Sequence, residues 1–402
     1  MKTTILASSL VSASLLAPAA LAAPVDQRID KLEQEIAALK QQQSKASSGN
    51  TNITMGGYIK LDAIVSDYSD GSQASISAGE DFYIPSTIPT GGEGGDIHTH
   101  LHAKESRLWL KSETQTDSGV IKTHLEMDFI LSTAHGDERI SNSYSPRLRH
   151  AYFSWNNWLL GQTWSTFFNV GALPELLDFV GPAATIFIRQ AQVRYTNGPL
   201  QIAVENPSTT LYGGAENPYD DNQIPDLIGR YNFDVGSAKL SVAGMIRELA
   251  YYDNANSNES KMGYAVSLSG KIPFGNGDDL RFMVNAGDAL GRYMGLNSFR
   301  SGVIDANGDI ELIDQVGFFA AYRHLWNSQW RSNFSISASE ADNPTEAGTG
   351  VAESYQSVHA NLIYKPTSAL DFGAEILHAT KELESGADGS MNRLQFSAKY
   401  VY

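Results

Sequence analysis

Residues 394–402 read LQFSAKYVY, and their reading decides the fold. Leu394, Phe396, Ala398, Tyr400 and Tyr402 alternate with Gln395, Ser397, Lys399 and Val401. A period of two marks a strand with one apolar and one polar face. A water-soluble sheet hides its apolar face in a core. A membrane barrel turns that face to lipid and keeps the polar face for the water inside.

From Ile53 onward about sixteen such segments follow one another, each near the ten residues that a tilted membrane strand needs. In KTHLEMDFIL, Leu125, Met127, Phe129 and Leu131 share one face, opposite Lys122, His124, Glu126 and Asp128. In KLSVAGMIREL, Leu240, Val242, Gly244 and Ile246 oppose Lys239, Ser241, Met245 and Arg247. Tight connections such as NN, NGP and KPTSA alternate with long polar ones such as PSTTLYGGAENPYDDN. Long loops on one side and short turns on the other are the layout of an outer-membrane barrel. A secreted sandwich or β-helix is the alternative, but sandwiches connect through Greek-key crossings rather than simple hairpins. The expected fold is all-β: a transmembrane antiparallel up-and-down β-barrel of about 16 strands.

Composition agrees. The 402 residues are 42% hydrophobic, with mean hydropathy −0.25, as expected when only alternate strand residues touch lipid. There is no cysteine, which excludes thiol catalysis, disulfides and cysteine metal sites. A net charge of −16 argues against nucleic acid as a partner. Residues 1–23, with Lys2, an apolar run and the ending Ala20-Leu21-Ala22, read as a secretory signal peptide. No later stretch is long and apolar enough to be a membrane helix.

Residues 24–45 follow as a short α-helical coiled coil. Val25, Ile29, Leu32, Ile36 and Leu39 form its heptad seam, expected in the periplasm because the short turns lie on the N-terminal side. Ile at a with Leu at d nominally favours two strands. A polar linker, 46–52, leads into the barrel domain, 53–402.

If apolar positions face lipid, the intervening ones line the channel. They include Lys60, Arg107, Lys122, Arg147, Arg149, Arg194, Arg230, Arg247 and Arg281. Lys and Arg outnumber carboxylates at these inward positions by roughly two to one, whereas acidic residues such as Asp70, Glu80, Asp81 and Glu93 gather in the long loops. That segregation suits a channel for small anions. The bland alternative is that Asp62, Glu126, Asp128, Asp371 and Glu375 pair the charge away and leave a general or weakly selective porin. One long connection, 164–187, is too rich in Phe, Leu and Val to lie in water. It is expected to fold back into the barrel or into a neighbouring subunit, with PELLDF as a helical turn. Glu175 and Asp178 would then oppose Arg147, Arg149, Arg189 and Arg194. A hydrophobic lid over the mouth is its competing role.

Other chemistry is set aside. His98, His100 and His102 share one face if extended, but read more simply as a polar loop or strand start than as a metal site. His150 and His378 fall on the outward parity, where a subunit interface suits them better than lipid. No Ser–His constellation suggests a membrane hydrolase, so neither enzymatic activity, a metal nor a cofactor is expected. A mainly structural barrel remains as an alternative to the channel.

The segments GGYIKLDAIVSDYSDG, DFYIPSTIP, HAKESRLWLK, RLRHAYFSW and LLGQTWSTF, placed after a heptad segment, resemble the DcaP-like outer-membrane porins. The resemblance implies a homotrimer of sixteen-stranded barrels with a periplasmic coiled coil, set among outer-membrane lipid and lipopolysaccharide. It implies uptake of small anionic solutes, dicarboxylates in particular. It also implies a basic constriction at Arg147, Arg149, Arg194 and Arg230, facing the loop that carries Glu175 and Asp178.

Overall fold

The computed structural model describes residues 50–73, 77–130, 141–213, 222–252 and 258–402. The signal peptide, the heptad seam Val25, Ile29, Leu32, Ile36 and Leu39, and most of the linker lie outside the described residues.

The strands run in chain order as β1 (Thr51–Tyr68), β2 in two halves (Asp96–His102 and Arg107–Thr116), β3 (Gly119–Asp128), β4 (Arg147–Trp155) and β5 (Trp158–Trp164). Then come β6 (Arg189–Asn197), β7 (Leu200–Glu205), β8 (Asp226–Val235), β9 (Ala238–Tyr252), β10 (Asn258–Phe274) and β11 (Asp278–Gly287). The last are β12 (Asp314–Leu325), β13 (Trp330–Asp342), β14 (Ala352–Thr367), β15 (Leu370–Leu383) and β16 (Asp388–Val401). Each pairs antiparallel with its sequence neighbours, and β16 pairs with β1 to close the cylinder, Tyr58 opposite Val401 through Tyr68 opposite Met391. Closure leaves no unpaired sheet edge, the condition for a sheet to survive in hydrocarbon.

The period-two reading sets what each face meets. Leu240, Val242, Gly244 and Ile246 point outward, whereas Ser241, Ala243, Met245 and Arg247 are buried inside. The outer surface is a continuous band of exposed Leu, Val, Ile, Phe, Tyr and Trp, from Ile59 and Leu61 round to Phe396 and Tyr400. An apolar band that would be a liability in water is what a bilayer requires. The LQFSAKYVY segment therefore turns Leu394, Phe396 and Tyr400 to lipid, and its Gln395 is buried inside.

The wall is uneven. β4 to β7 have nine, seven, nine and six residues, whereas β10 has 17 and β14 has 16. At about 3.3 Å per residue the strands of the tall wall are roughly 25–35 Å longer, measured along the strand, than those of the short one.

The outer half of the interior is not an open lumen. Three long connections, the first described over 69–73 and 77–95, the others 165–188 and 288–313, fold inward and build one apolar core inside the barrel. It contains Phe82, Tyr83 and Ile88 from the first, Phe167, Phe168, Val180, Ile186 and Phe187 from the second, and Leu290, Tyr293, Met294 and Phe299 from the third. The sequence foretold the second of these. The first and third carry the same signal, apolar clusters such as DFYIPSTIP in a long connection, and belong with it. Within 165–188 the helical turn is Val170–Ala172, capped by the Asn169 side chain, and PELLDF carries bends instead.

One side-chain direction departs from simple alternation. Glu126 pairs with His150 and Met127 with Leu148, so Arg149 is the extra residue of a β-bulge. The bulge turns both Arg149 and His150 to the inside, where His150 stacks on His124, and so corrects the outward placement of His150. Gln162 Nε2 donates to the bulge carbonyl of Leu148 at 3.2 Å. His378 does face outward and is exposed, hydrogen-bonded to Asn392 at 2.8 Å.

Candidate functional site

The connection 165–188 leaves the short wall at β5, crosses the interior and returns to β6. At each step an inward side chain of the barrel holds its backbone. Arg194 donates to the carbonyl of Trp164 at 2.6 Å, Arg230 to that of Phe168 at 2.6 Å, and Arg281 to that of Leu173. Asn361 donates to the carbonyl of Glu175 at 2.9 Å, and Lys60 to that of Leu177 at 2.9 Å. The Leu177 N–H in turn donates to the buried Glu375 carboxylate at 2.6 Å. On the return, Ala183 N and Ala184 N donate to Ser357 Oγ and Ser337 Oγ. Small hydroxyl residues on the tall wall let the backbone come this close. At Gly373 an added Cβ would sit 2.7 Å from Leu177 Cδ2, so the wall there has room only for hydrogen.

Beside this connection lies a cavity of about 480 Å³. It lies between this connection and strands β1 to β5 and β13 to β16. Its cations are Lys60, Arg107, Arg149, Arg331 and Lys399, and its carboxylates are Glu105, Glu126, Glu175, Asp178 and Asp371. Tyr58, Trp164 and Phe179 supply aromatic surface. Arg149 lies 5.9 Å from the Trp164 ring and 5.3 Å from the Phe179 ring, within cation–π range.

The charges are locally paired. Arg147 binds Asp128 bidentately at 2.9 Å, and Arg149 bridges Asp128 and Glu126 at 2.8 Å each. Arg107 approaches both carboxylates at 3.4 and 3.8 Å. Across the cavity Glu175 meets Arg331 at 2.9 Å and Arg323 at 3.9 Å, and Asp371 meets Arg331, Lys365 and Lys399. Lys60 pairs with Glu105 and Asp62. Among the described residues Arg189, Arg194 and Arg230 make no ion pair, and one Arg189 guanidinium nitrogen is buried without a hydrogen-bond partner. Asp178 is buried and accepts the backbone N–H groups of Tyr83, Val180 and Gly181 at 2.7 to 3.0 Å. Burial pushes its carboxyl above the usual range despite those amides and the nearby His359 and Arg393.

A closed barrel with a long connection folded inside it and charged residues around an internal cavity is the arrangement expected of a channel. The sequence matches the DcaP outer membrane protein family over residues 28–402. The chain belongs to that family. The crystal structure of the outer membrane channel DcaP of Acinetobacter baumannii superposes with a TM-score of 0.75 at 22% identity, over 89% of this chain and 99% of that one. OmpF of Salmonella typhi, solved with daunomycin, gives 0.52 at 10% identity over 87% and 98% of the two chains. A loop-deletion mutant of OmpT of Vibrio cholerae gives 0.51 at 13% over 88% and 100%. At these identities the likeness shows the fold, a closed antiparallel barrel of sixteen strands. No curated protein sequence matches the chain.

In this DcaP family member the inward residues anticipated from alternation are distributed in three ways. Lys60, Arg107 and Arg149 line the cavity, with Arg147 beside them on Asp128. Arg194, Arg230 and Arg281 serve as anchors of 165–188. Arg247 is fully buried behind 288–313, on Asp226 and the carbonyls of Ala289 and Ser208, and Lys122 sits exposed near a short turn, paired with Glu113. Glu175 and Asp178 line the same cavity as Arg149, but among the described residues neither forms an ion pair with Arg147, Arg149, Arg189 or Arg194. The connection is long enough to carry both carboxylates to the far wall, and Asp128 and Glu126 already occupy Arg147 and Arg149. Asp81, expected among outer-loop charges, is buried against the wall.

Proposed function

We propose that the barrel is a passive channel for small anionic solutes, dicarboxylates among them, without turnover or energy coupling. The observation that carries this is the charge on the short-wall side. Six guanidiniums, those of Arg107, Arg147, Arg149, Arg189, Arg194 and Arg230, share only Glu126 and Asp128 as ion-pair partners. Unneutralised cationic charge in a water-filled constriction with low-dielectric walls concentrates anions. The chain would work as a homotrimer among outer-membrane lipid and lipopolysaccharide, packed along the side of β2 and β3 next to the short wall, where Ser112 and Thr123 hydrogen-bond to each other on the outward face. Its N-terminal coiled coil would lie in the periplasm.

A weakly selective porin is the second reading, favoured by the five cations and five carboxylates that line the cavity itself. The reversal potential of the purified protein in a planar bilayer, under a gradient of potassium chloride and then of a potassium dicarboxylate, separates the two. Anion preference supports the first reading, no preference supports the second, and cation preference refutes the first.

A further inference from the structure

The stretch HTHLH has no part in a passive channel, yet the structure gives it a defined partner. His98, His100 and His102 alternate along the first half of β2, and His100 and His102 are buried on the inside. There the short helix Ala78–Asp81 of the first long connection lies against them. Asp81 Oδ1 is 2.8 Å from His100 Nε2, and the Asp81 carbonyl is 3.1 Å from His102 Nε2. The two imidazole centroids are 5.2 Å apart. The ligand-capable atoms of Asp81, His100 and His102 all lie within 4.8 Å of one another. His102 is 5% exposed, and its Nδ1 is buried without a hydrogen-bond partner.

We propose that Asp81, His100 and His102 form a site for one divalent transition-metal ion, of which zinc is the best match. Two imidazoles and one carboxylate are borderline donors that suit zinc, nickel or copper, whereas calcium and magnesium call for a shell of oxygens. Three protein ligands leave a fourth position for water. Ligand bonds of about 2.0–2.1 Å put tetrahedral donor atoms about 3.3 Å apart, so the donors draw together by up to about 1.5 Å on binding. Lys104 Nζ now holds both Asp81 oxygens, at 2.8 and 3.1 Å, and acts as the resident counter-cation. A metal on Oδ1 leaves Oδ2 to Lys104. His98, paired with Glu80 at 3.0 Å and partly exposed, marks the solvent side of the site and is not one of its ligands.

The position gives the site a consequence for the channel. It ties the first connection to the barrel wall. The residues after Asp81, Phe82 and Tyr83, touch the constriction connection through the Phe82–Phe179 ring contact at 5.3 Å and the Tyr83 N–H on Asp178 at 2.7 Å. A bound ion therefore pins the first connection and, through it, Asp178.

The test is zinc titration of the full barrel, purified without a histidine tag and stripped with chelator, followed by competition with a chromophoric chelator and by calorimetry. One zinc per chain with an affinity of about 10 μM or tighter is expected. His100→Gln with His102→Gln lowers that affinity at least about tenfold. Lys104→Gln raises it, and His98→Gln leaves it unchanged. Retention of the heat-modifiable, folded gel band shows that each variant forms a barrel. Should the double histidine variant fail to fold, the Lys104→Gln titration decides. Absence of stoichiometric zinc, binding indifferent to the double substitution or lost with His98→Gln alone, no gain in Lys104→Gln, or displacement of zinc by equimolar calcium each overturns the proposal.

Discussion

Glu175→Gln removes one negative charge from the edge of the constriction without stranding a buried partner. The Glu175 side chain is 39% exposed, Arg331 keeps Asp371 at 3.2 Å, and Arg323 keeps Asp279 at 2.8 Å. The Glu175 carbonyl still accepts from Asn361, so the course of the connection is preserved. A cavity of about 480 Å³ has the volume of a sphere of about 5 Å radius, which places this carboxylate about 6 Å from a passing ion. With an effective dielectric constant of about 40, between water and a protein surface, one charge at that distance is worth about 1.4 kcal/mol. Screening over the roughly 10 Å Debye length of 0.1 M salt leaves about 0.8 kcal/mol, favourable to anions and unfavourable to cations. The ceiling on the change in anion-to-cation occupancy is then roughly tenfold. We expect about a threefold rise in permeability ratio, because the constriction is only part of the path. At 1 M salt the Debye length is about 3 Å and the change shrinks towards unity. The assay is the reversal potential of single trimers or barrels in a planar bilayer at both salt levels. An unchanged ratio at 0.1 M in a conducting variant, or an equal shift at both salt levels, refutes the electrostatic reasoning.

Arg194→Gln together with Arg230→Gln removes two cations that make no ion pair among the described residues, and the same measurement is expected to move the permeability ratio towards cations by a similar factor. Gly373→Val places a side chain where Leu177 Cδ1 and Cδ2 already lie within 2.9 Å; overpacking of about 1–3 kcal/mol is expected to lift the connection off β15 and raise current noise while the barrel still forms. Asp226→Asn strands Arg247, which is fully buried, and loosens Arg292 and Tyr293. A loss of about 3–5 kcal/mol is expected, seen as a lower temperature for the shift of the folded gel band, with no fall if these groups re-pair.

The barrel was legible because its physical cause is local. Each strand must show lipid a column of apolar side chains at every second position, and no partner elsewhere in the chain can alter that requirement. Strand identity and the facing of Ser241, Arg247, Ser267 and Gln395 follow directly. The rule failed where one residue broke the period. The bulge at Arg149 shifts the phase of β4, and neither RLRHAYFSW nor its partner announces it, since Arg–His is as acceptable on one phase as on the other. Which charges meet was less legible still. Arg331 finds Glu175 across 156 residues, and Tyr83 finds Asp178 across 95, because a folded-in connection samples the whole interior before it docks. Its apolar composition foretold that it goes in, but not where.

That docking changes what the basic interior is for. A row of lysines and arginines facing inward reads, on charge alone, as an attractor for anions. In the structure Arg230, Arg281 and Lys60 each spend a donor on a backbone carbonyl of 165–188, and Arg194 holds the Trp164 carbonyl just before it and the Thr166 hydroxyl within it. Arg393 and Lys381 do the same for the carbonyls of Gly79, Ser86 and Ile88 of the first connection. A carbonyl is neutral, so a cation used in this way fastens a loop and keeps its charge. A carboxylate in that place would fasten nothing, because peptide carbonyls only accept. Cations on the wall are thus the natural partners of the loop carbonyls, and the fields of Arg194 and Arg230 remain for the solute. Anchorage and selectivity are not competing readings of these residues, and a substitution that weakens one is expected to disturb the other.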